Sequence, residues 1–186
     1  MKLLGQIFIG LFLTTNCLGQ KTTDIENISK SVISFYQWYI GTTKDLRYPT
    51  LVRGTEGKNR MTKLETTDYF KQLDSLGVIG NDFIESEKKR FKTCADFLKT
   101  MSWTTFATGD NFPAEDECGF LYYYYWTGGH EPYDGVEVID VKINGKSATV
   151  VANIFFGDNK TTGRRPIVYM NKEKEKWIIS KLDKGW

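Results

Sequence analysis

The chain has 186 residues and a formal net charge of +2 at pH 7, and 15% of its residues are aromatic. This length fits one domain with a substantial core, because domains usually have about 100–200 residues. The near-neutral charge argues against a nucleic-acid binder, which needs a basic surplus to neutralise phosphates, and against a polybasic membrane-surface protein.

The first nineteen residues have the layout of a secretory signal peptide. Lys2 supplies a positive charge, the apolar run 3–13 follows, and small and polar residues lead to Gly19. Such a run is too short to span a bilayer core of ~30 Å as a stable helix. We therefore expect cleavage after residue 19 and an exported, periplasmic or secreted domain at 20–186. Lipid anchoring at Cys17 is the alternative, although Asn16 fits poorly as the residue before a lipoprotein cysteine.

The first predicted helix of the mature chain has a broad aromatic face. Thr23 and Glu26 form a capping box at its start. Apolar residues then recur at three- and four-residue spacing over 25–40, which predicts an amphipathic helix. Gly41 follows, where a left-handed residue after the helix C-terminus fits.

Two further helices are predicted after a loop at 42–59. Apolar residues over 61–76 indicate the second helix, which Gly77 stops. Asp82 caps the third, whose apolar stripe continues over 84–101. The pattern then breaks into a Gly- and Pro-containing acidic loop at 108–119.

Two cysteines remain once the signal segment is removed. Cys94 lies on the stripe of the third helix and Cys118 in the acidic loop. An even pair in an exported protein predicts a disulfide. The alternative is two buried thiols, since a free cysteine packs well on an apolar stripe.

The second half of the chain predicts antiparallel strands. Residues 120–126 are an aromatic run of high β-propensity. The strand at 136–143 switches its apolar parity between Val138 and Ile139, which indicates a bulge. Asn144-Gly145 favours a two-residue type I′ hairpin turn. Further strands are predicted at 148–156, 167–170 and 177–179.

Helices followed by antiparallel strands predict an α+β fold, with N-terminal helices packed on a curved, mainly antiparallel sheet. The segments 34–39, 136–138, 144–150, 167–169 and 176–179 resemble those of the nuclear-transport-factor-2-like superfamily, and within it exported bacterial members of unassigned function. The resemblance implies a cone in which a bent sheet wraps one helix and leaves a cavity at the open end. That superfamily includes dehydratases, isomerases and binding proteins, so the fold alone does not determine an activity.

The implied cavity brings an aromatic helix face and an aromatic strand face together. Residues three apart share a helix face, and alternate residues share a strand face. Tyr and Trp bury large apolar areas and keep a polar group, which suits binding. The alternative is a core and a half-solvated face without a ligand. The candidate binding residues are Tyr36, Tyr39, Tyr122, Tyr124 and Trp126.

Titratable and metal-binding chemistry is sparse in the sequence. His130 is the only imidazole and lies in a Gly-rich, turn-like link, so we interpret it as an exposed loop residue and not a catalytic base. Two cysteines and one histidine give no recognisable metal-ligand spacing. The carboxylates over 110–117 lack the ordered pattern of a Ca²⁺ loop and predict a solvated acidic loop. No phosphate-loop, nucleophile-elbow or zinc-protease motif occurs, and we predict no cofactor.

We therefore predict an exported, non-catalytic binding module whose partner is an unidentified protein or small ligand. A periplasmic immunity-type protein that neutralises a toxin or hydrolase is one form of this prediction. The alternative is a small dehydratase- or isomerase-like enzyme that uses a cavity carboxylate or His130. The sequence does not predict an oligomeric state.

Overall fold

The computed structural model describes residues 8–44, 52–54, 62–108, 118, 125–127, 133–157 and 159–184. The helices are α1 (Phe8–Lys44), α2 (Thr67–Ser75), α3 (Asn81–Leu98) and α4 (Trp103–Thr108). The strands are β1 (Val52–Gly54), β2 (Thr62–Leu64), β3 (Gly135–Asn144), β4 (Ser147–Phe156), β5 (Asn159–Arg164), β6 (Ile167–Glu173) and β7 (Lys176–Asp183).

The strands that follow the helices form one antiparallel sheet in the order β3-β4-β6-β7, and β5 pairs with the far end of β4. Strands β1 and β2 form a separate antiparallel ribbon. Because the helices precede the curved sheet and α1 packs on β3 and β7, the predicted α+β class is confirmed.

The hairpin between β3 and β4 confirms the bulge and corrects the turn. The strand register shifts between Val138 and Asp140, which leaves Ile139 unpaired. Asn144 pairs with Ser147, so the two central turn residues are 145 and 146. Gly145 has φ +60° and the next residue does not have a positive φ, which is the type II′ pattern and not the predicted type I′.

Helix α1 differs from the prediction at both ends. It runs without a break through Thr23, so the amides there bond within the helix and the predicted capping box does not start it. Gly41 lies inside the helix without a positive φ, and the helix ends only at residue 44. The Thr42 hydroxyl donates to the Trp38 carbonyl at 2.7 Å, one helical turn back. Thr42 directly follows Gly41, so the helix continues beyond the glycine.

The structure differs from four further predictions. Residues 62–64 form β2 and not a helix, because they pair with β1 and the Thr62 amide donates to the Met101 carbonyl at 3.2 Å. Helix α4 reaches into the predicted loop at 108–119, and β1 lies within the predicted loop at 42–59. Residues 125–127 form a turn and not a strand end, because the Trp126 amide donates to the Tyr39 hydroxyl and not to a strand.

The core lies between α1 and the inner face of the sheet. Side chains from both layers are fully buried there, and each stabilises the fold by about 1.5–3 kcal/mol relative to exposure. They include Val32, Phe35, Val150, Val168 and Ile179. The Trp38 indole also donates to Gln72 at 3.2 Å, which places α2 against α1. Within the described part of the chain, no helix combines the length and the apolar character needed to cross a membrane.

Candidate functional site

Three of the five predicted binding residues lie in the core. Tyr36 is 0% exposed, Tyr39 2% and Trp126 7%. The structure brings Tyr39 and Trp126 together through a hydrogen bond of 3.4 Å, whereas the Tyr36 hydroxyl is buried without a hydrogen-bond partner. Burial raises the pKa of both tyrosines above the usual range, so both are neutral. Tyr122 and Tyr124 lie outside the described residues, as does His130.

The predicted disulfide between Cys94 and Cys118 is confirmed, with Cα atoms 5.0 Å apart. Cys94 is on α3 and both cysteines are fully buried. The bond joins residue 118 to α3 across a sequence separation of 24 residues.

A buried ion pair on α3 is the main polar feature of the described core. The Glu87 side chain is 2% exposed and contacts the Arg90 guanidinium, whose Nε donates to Oε1 at 3.0 Å. The Tyr69 hydroxyl donates to Oε2 of Glu87 at 2.6 Å, and the Trp126 indole donates to the Tyr69 oxygen at 3.3 Å. We call Tyr69, Glu87, Arg90 and Trp126 the α3 polar cluster.

Aromatic rings surround the cation of this cluster. The Arg90 guanidinium carbon lies 4.0 Å from the centre of the Tyr125 ring and 4.5 Å from that of Phe91, which are cation–π distances. Burial opposes the charge on Arg90, but the Glu87 carboxylate outweighs it and holds the pKa of Arg90 above its ordinary value. Lys184 lies 3.6 Å from the same Tyr125 ring, and burial followed by repulsion from Arg90 lowers its pKa.

The arrangement favours stability over acid–base chemistry. Both carboxylate oxygens of Glu87 accept hydrogen bonds from within the cluster, whereas a general base must reach the proton that it abstracts. The sequence carried one signal of this cluster. Glu87 occupies the apolar stripe of α3 between Phe83 and Phe91, with a basic residue three positions later.

An open groove of about 230 Å³ lies between β2, α2 and α3. Phe70 and Phe91 form its floor, with ring centroids 5.6 Å apart in an edge-to-face arrangement. Its lining residues are Leu64, Thr66, Phe70, Lys88, Phe91, Lys92 and Ala95. We call this the α2–α3 groove.

The rim of the groove is cationic. The side chains of Lys88 and Lys92 are 54% and 76% exposed. Asp96 binds both Lys92 and Lys99, and hydrogen bonds from Lys92 and then Lys99 lower its pKa to about 2. Lys88 is paired with Glu85 at 2.8 Å, so each lysine of the lining contacts a carboxylate while most of its side chain stays exposed.

Among the residues that the structure describes, no group of three or more His, Cys, Asp or Glu side chains is placed to hold a metal ion. The predicted acidic loop at 110–117 lies outside those residues.

No protein-family model matches this chain, and neither a curated protein nor a solved structure does.

Proposed function

We propose that this protein is an exported, non-catalytic binding module whose α2–α3 groove takes an apolar side chain of an acidic protein partner. The observation that carries the proposal is the groove itself, an apolar floor beside exposed lysines. Its volume of about 230 Å³ is below the ~300–1,000 Å³ usual for small-molecule sites, but it suits one anchoring side chain of a protein.

Export is supported by two independent features of the chain. The apolar run 3–13 after Lys2 has the layout of a signal peptide. The Cys94–Cys118 disulfide suits an oxidising compartment, because such bonds persist outside the cytosol. Cleavage after residue 19 and release into the periplasm or medium remain part of the proposal, with lipid anchoring at Cys17 as the alternative.

The charge of the rim restricts the partner. Lys88 and Lys92 are exposed and form only surface ion pairs, with Glu85 and Asp96, so both can instead pair with carboxylates next to the anchoring side chain of a partner. A secreted toxin or hydrolase neutralised by an immunity-type protein is a partner of this kind.

Membership of the nuclear-transport-factor-2-like superfamily is part of the same proposal. A long helix, α1, packs on a curved antiparallel sheet, as the cone of that superfamily requires. Phe35, Tyr36, Tyr39 and Trp126 are buried in the described core, which favours recognition at the surface over a reaction inside.

An enzyme of dehydratase or isomerase type is the second candidate. The observation that favours it is a buried carboxylate, Glu87, hydrogen-bonded to Tyr69 at 2.6 Å. It ranks second because Arg90 and Tyr69 already bind the carboxylate of Glu87.

The test is affinity capture from an envelope extract of the native source with wild-type and variant baits. Lys88→Glu/Lys92→Glu reverses the rim and should abolish capture of the partner. The matched control is Lys89→Glu/Lys99→Glu, which changes the net charge equally, also removes an Asp96 contact and lies off the groove lining.

A protein retained by the wild type and the control but lost with the rim variant supports the proposal. With that purified partner, the rim variant should raise the Kd at least about tenfold, or ~1.4 kcal/mol. Equal capture by all three baits, or no capture by the wild type, contradicts it.

A further inference from the structure

The turn between β3 and β4 carries the sequence pair Asn144-Gly145. Residues 144–147 are all exposed, and Gly145 has φ +60°. Within the described part of the chain, the Asn144 carboxamide makes no hydrogen bond, and no backbone carbonyl accepts one from the Gly145 amide. A Cβ atom added at Gly145 would meet nothing within 4 Å. The carboxamide and the neighbouring amide are therefore open to each other and to water.

We infer that Asn144 is a site of covalent modification, at which the Gly145 amide nitrogen attacks the carbonyl carbon of the Asn144 side chain. The bond from this carbon to the side-chain nitrogen breaks, and that nitrogen leaves as ammonia with the amide proton. The succinimide ring that forms is then opened by water at either carbonyl, which yields aspartate or isoaspartate. No oxidant or reductant takes part. Asparagine is thermolabile, and a following glycine has no Cβ atom to hinder the attacking nitrogen.

The pair Asp134-Gly135 shows how the fold can prevent this reaction. An aspartate before a glycine can close to the same ring, with water as the leaving group. The Asp134 carboxylate, however, accepts a hydrogen bond from the Gly157 amide at 2.7 Å. The Phe155 ring covers Gly135, where an added Cβ atom would lie 2.5 Å from the ring. The structure thus restrains Asp134 and leaves Asn144 unrestrained.

The products change the turn in two ways. Either product replaces a neutral side chain by a carboxylate. Isoaspartate also adds a carbon atom to the main chain of the hairpin, at the position where Asn144 pairs with Ser147. The same turn is joined to β6, because the Lys172 amide donates to the Lys146 carbonyl at 2.8 Å. The isoaspartyl form should therefore unfold at a lower temperature than the unreacted protein.

Peptide mapping of the folded protein after prolonged incubation in neutral buffer tests the inference. The peptide that contains Asn144 should gain about 1 Da, and isoaspartyl methyltransferase should label it. Conversion at Asn144 should be at least about tenfold faster than at Asn171, which a lysine follows. An intact Asn144 in the folded protein, with conversion only after denaturation, overturns the inference.

The variant Asn144→Asp provides a comparison at equal chemistry, because aspartate then precedes glycine at both 134 and 144. We expect isoaspartate at position 144 in the folded variant and at both positions after denaturation. Equal formation at the two positions of the folded variant, or more at 134, contradicts the inference. The isoaspartyl form, separated by chromatography, should unfold at a lower temperature than unreacted Asn144→Asp, which has the same charge. Equal midpoints would contradict the change assigned to the turn.

Discussion

Glu87 illustrates how a charge is retained in the core of this protein. An isolated buried carboxylate costs several kcal/mol, so it needs a paired cation and hydrogen-bond donors. Arg90, on the next turn of the same helix, supplies the cation, and Tyr69 supplies a further donor. Both oxygens of the Glu87 carboxylate are therefore bound within the α3 polar cluster, which is the basis for proposing recognition at the groove and not at this carboxylate.

Gly41 is a residue at which the protein can be stabilised. It lies inside α1 with an ordinary backbone conformation, and a Cβ atom added there meets nothing within 4 Å. Gly41→Ala should therefore increase the free energy of unfolding by about 0.5–1 kcal/mol, since alanine loses less backbone entropy in a helix. Urea unfolding monitored by circular dichroism measures the change.

Gly163→Ala is the contrasting variant for that experiment. A Cβ atom there would lie 2.5 Å from the Ile154 carbonyl oxygen, which is too close for an ordinary contact. The substitution should destabilise the fold. A decrease in stability with Gly41→Ala would contradict the helical conformation at residue 41.

At the scale of elements, a polar clasp holds α1 to the β6–β7 hairpin. The Asp24 carboxylate accepts hydrogen bonds from the Trp177 indole at 2.9 Å and from the Lys172 ammonium at 3.0 Å. The Trp177 bond and then Lys172 lower the pKa of Asp24 despite its partial burial, and the Asp24 bond raises the pKa of Lys172. The stabilisation that the clasp provides therefore depends on pH in both the acidic and the basic range.

The sign of that dependence follows from the two pKa directions. The contribution of Asp24 is present above its unfolded pKa of ~3.9 and is lost as pH falls through the lower folded value. The contribution of Lys172 is present below its unfolded pKa of ~10.4 and is lost as pH rises through the higher folded value.

Asp24→Asn should lower the free energy of unfolding at pH 7, because it removes the charge and keeps an oxygen for Trp177. The difference from wild type should shrink as pH falls below about 4, where the wild-type carboxylate becomes protonated. Chemical unfolding across pH measures it. Glu26→Gln, an exposed carboxylate on the same helix, is the control. A difference that stays constant down to the lowest pH would exclude the clasp as its cause.

The disulfide is the other link between elements. The bond closes a loop between cysteines 24 positions apart in the sequence. In the chain-entropy model, this closure stabilises the fold by about 3 kcal/mol. Reduction should therefore lower the midpoint of unfolding without abolishing folding, since the core is extensive. Alkylation of the protein purified without reductant should label neither Cys94 nor Cys118. Detection of both thiols by mass spectrometry would contradict the bond.

At the scale of the whole molecule, three helices followed by antiparallel strands were predictable because they depend on local periodicity, whereas the β1–β2 ribbon between α1 and α2 was not. The bulge after Val138 and the pairing of Cys94 with Cys118 were also visible in the sequence, and the structure confirms both. The α2–α3 groove was not predictable, because its floor joins Phe70 and Phe91 from different helices.

The aromatic residues show what helical periodicity does not predict about a binding site. Periodicity placed Tyr36 and Tyr39 on one helix face, but it does not distinguish a face that lines a cavity from one that fills a core. The structure buries both, together with Trp126. The role of these residues in binding stays a prediction. The α2–α3 groove is open to the surface, so it is the more direct candidate for a binding site.

The two edge strands of the sheet, β3 and β7, determine whether another chain can pair with it by strand addition. Along β7, the Gly80 amide donates to the Ile179 carbonyl and the Ile179 amide to the Val78 carbonyl, each at 2.8 Å. Those groups are no longer available to template a foreign strand. At the other end of the strand order, β3 carries the bulge at Ile139 next to the charged Asp140, which interrupts the regular ladder that such a strand needs. Growth of fibrils by strand addition is therefore hindered at Ile179 of β7 and at the bulge of β3.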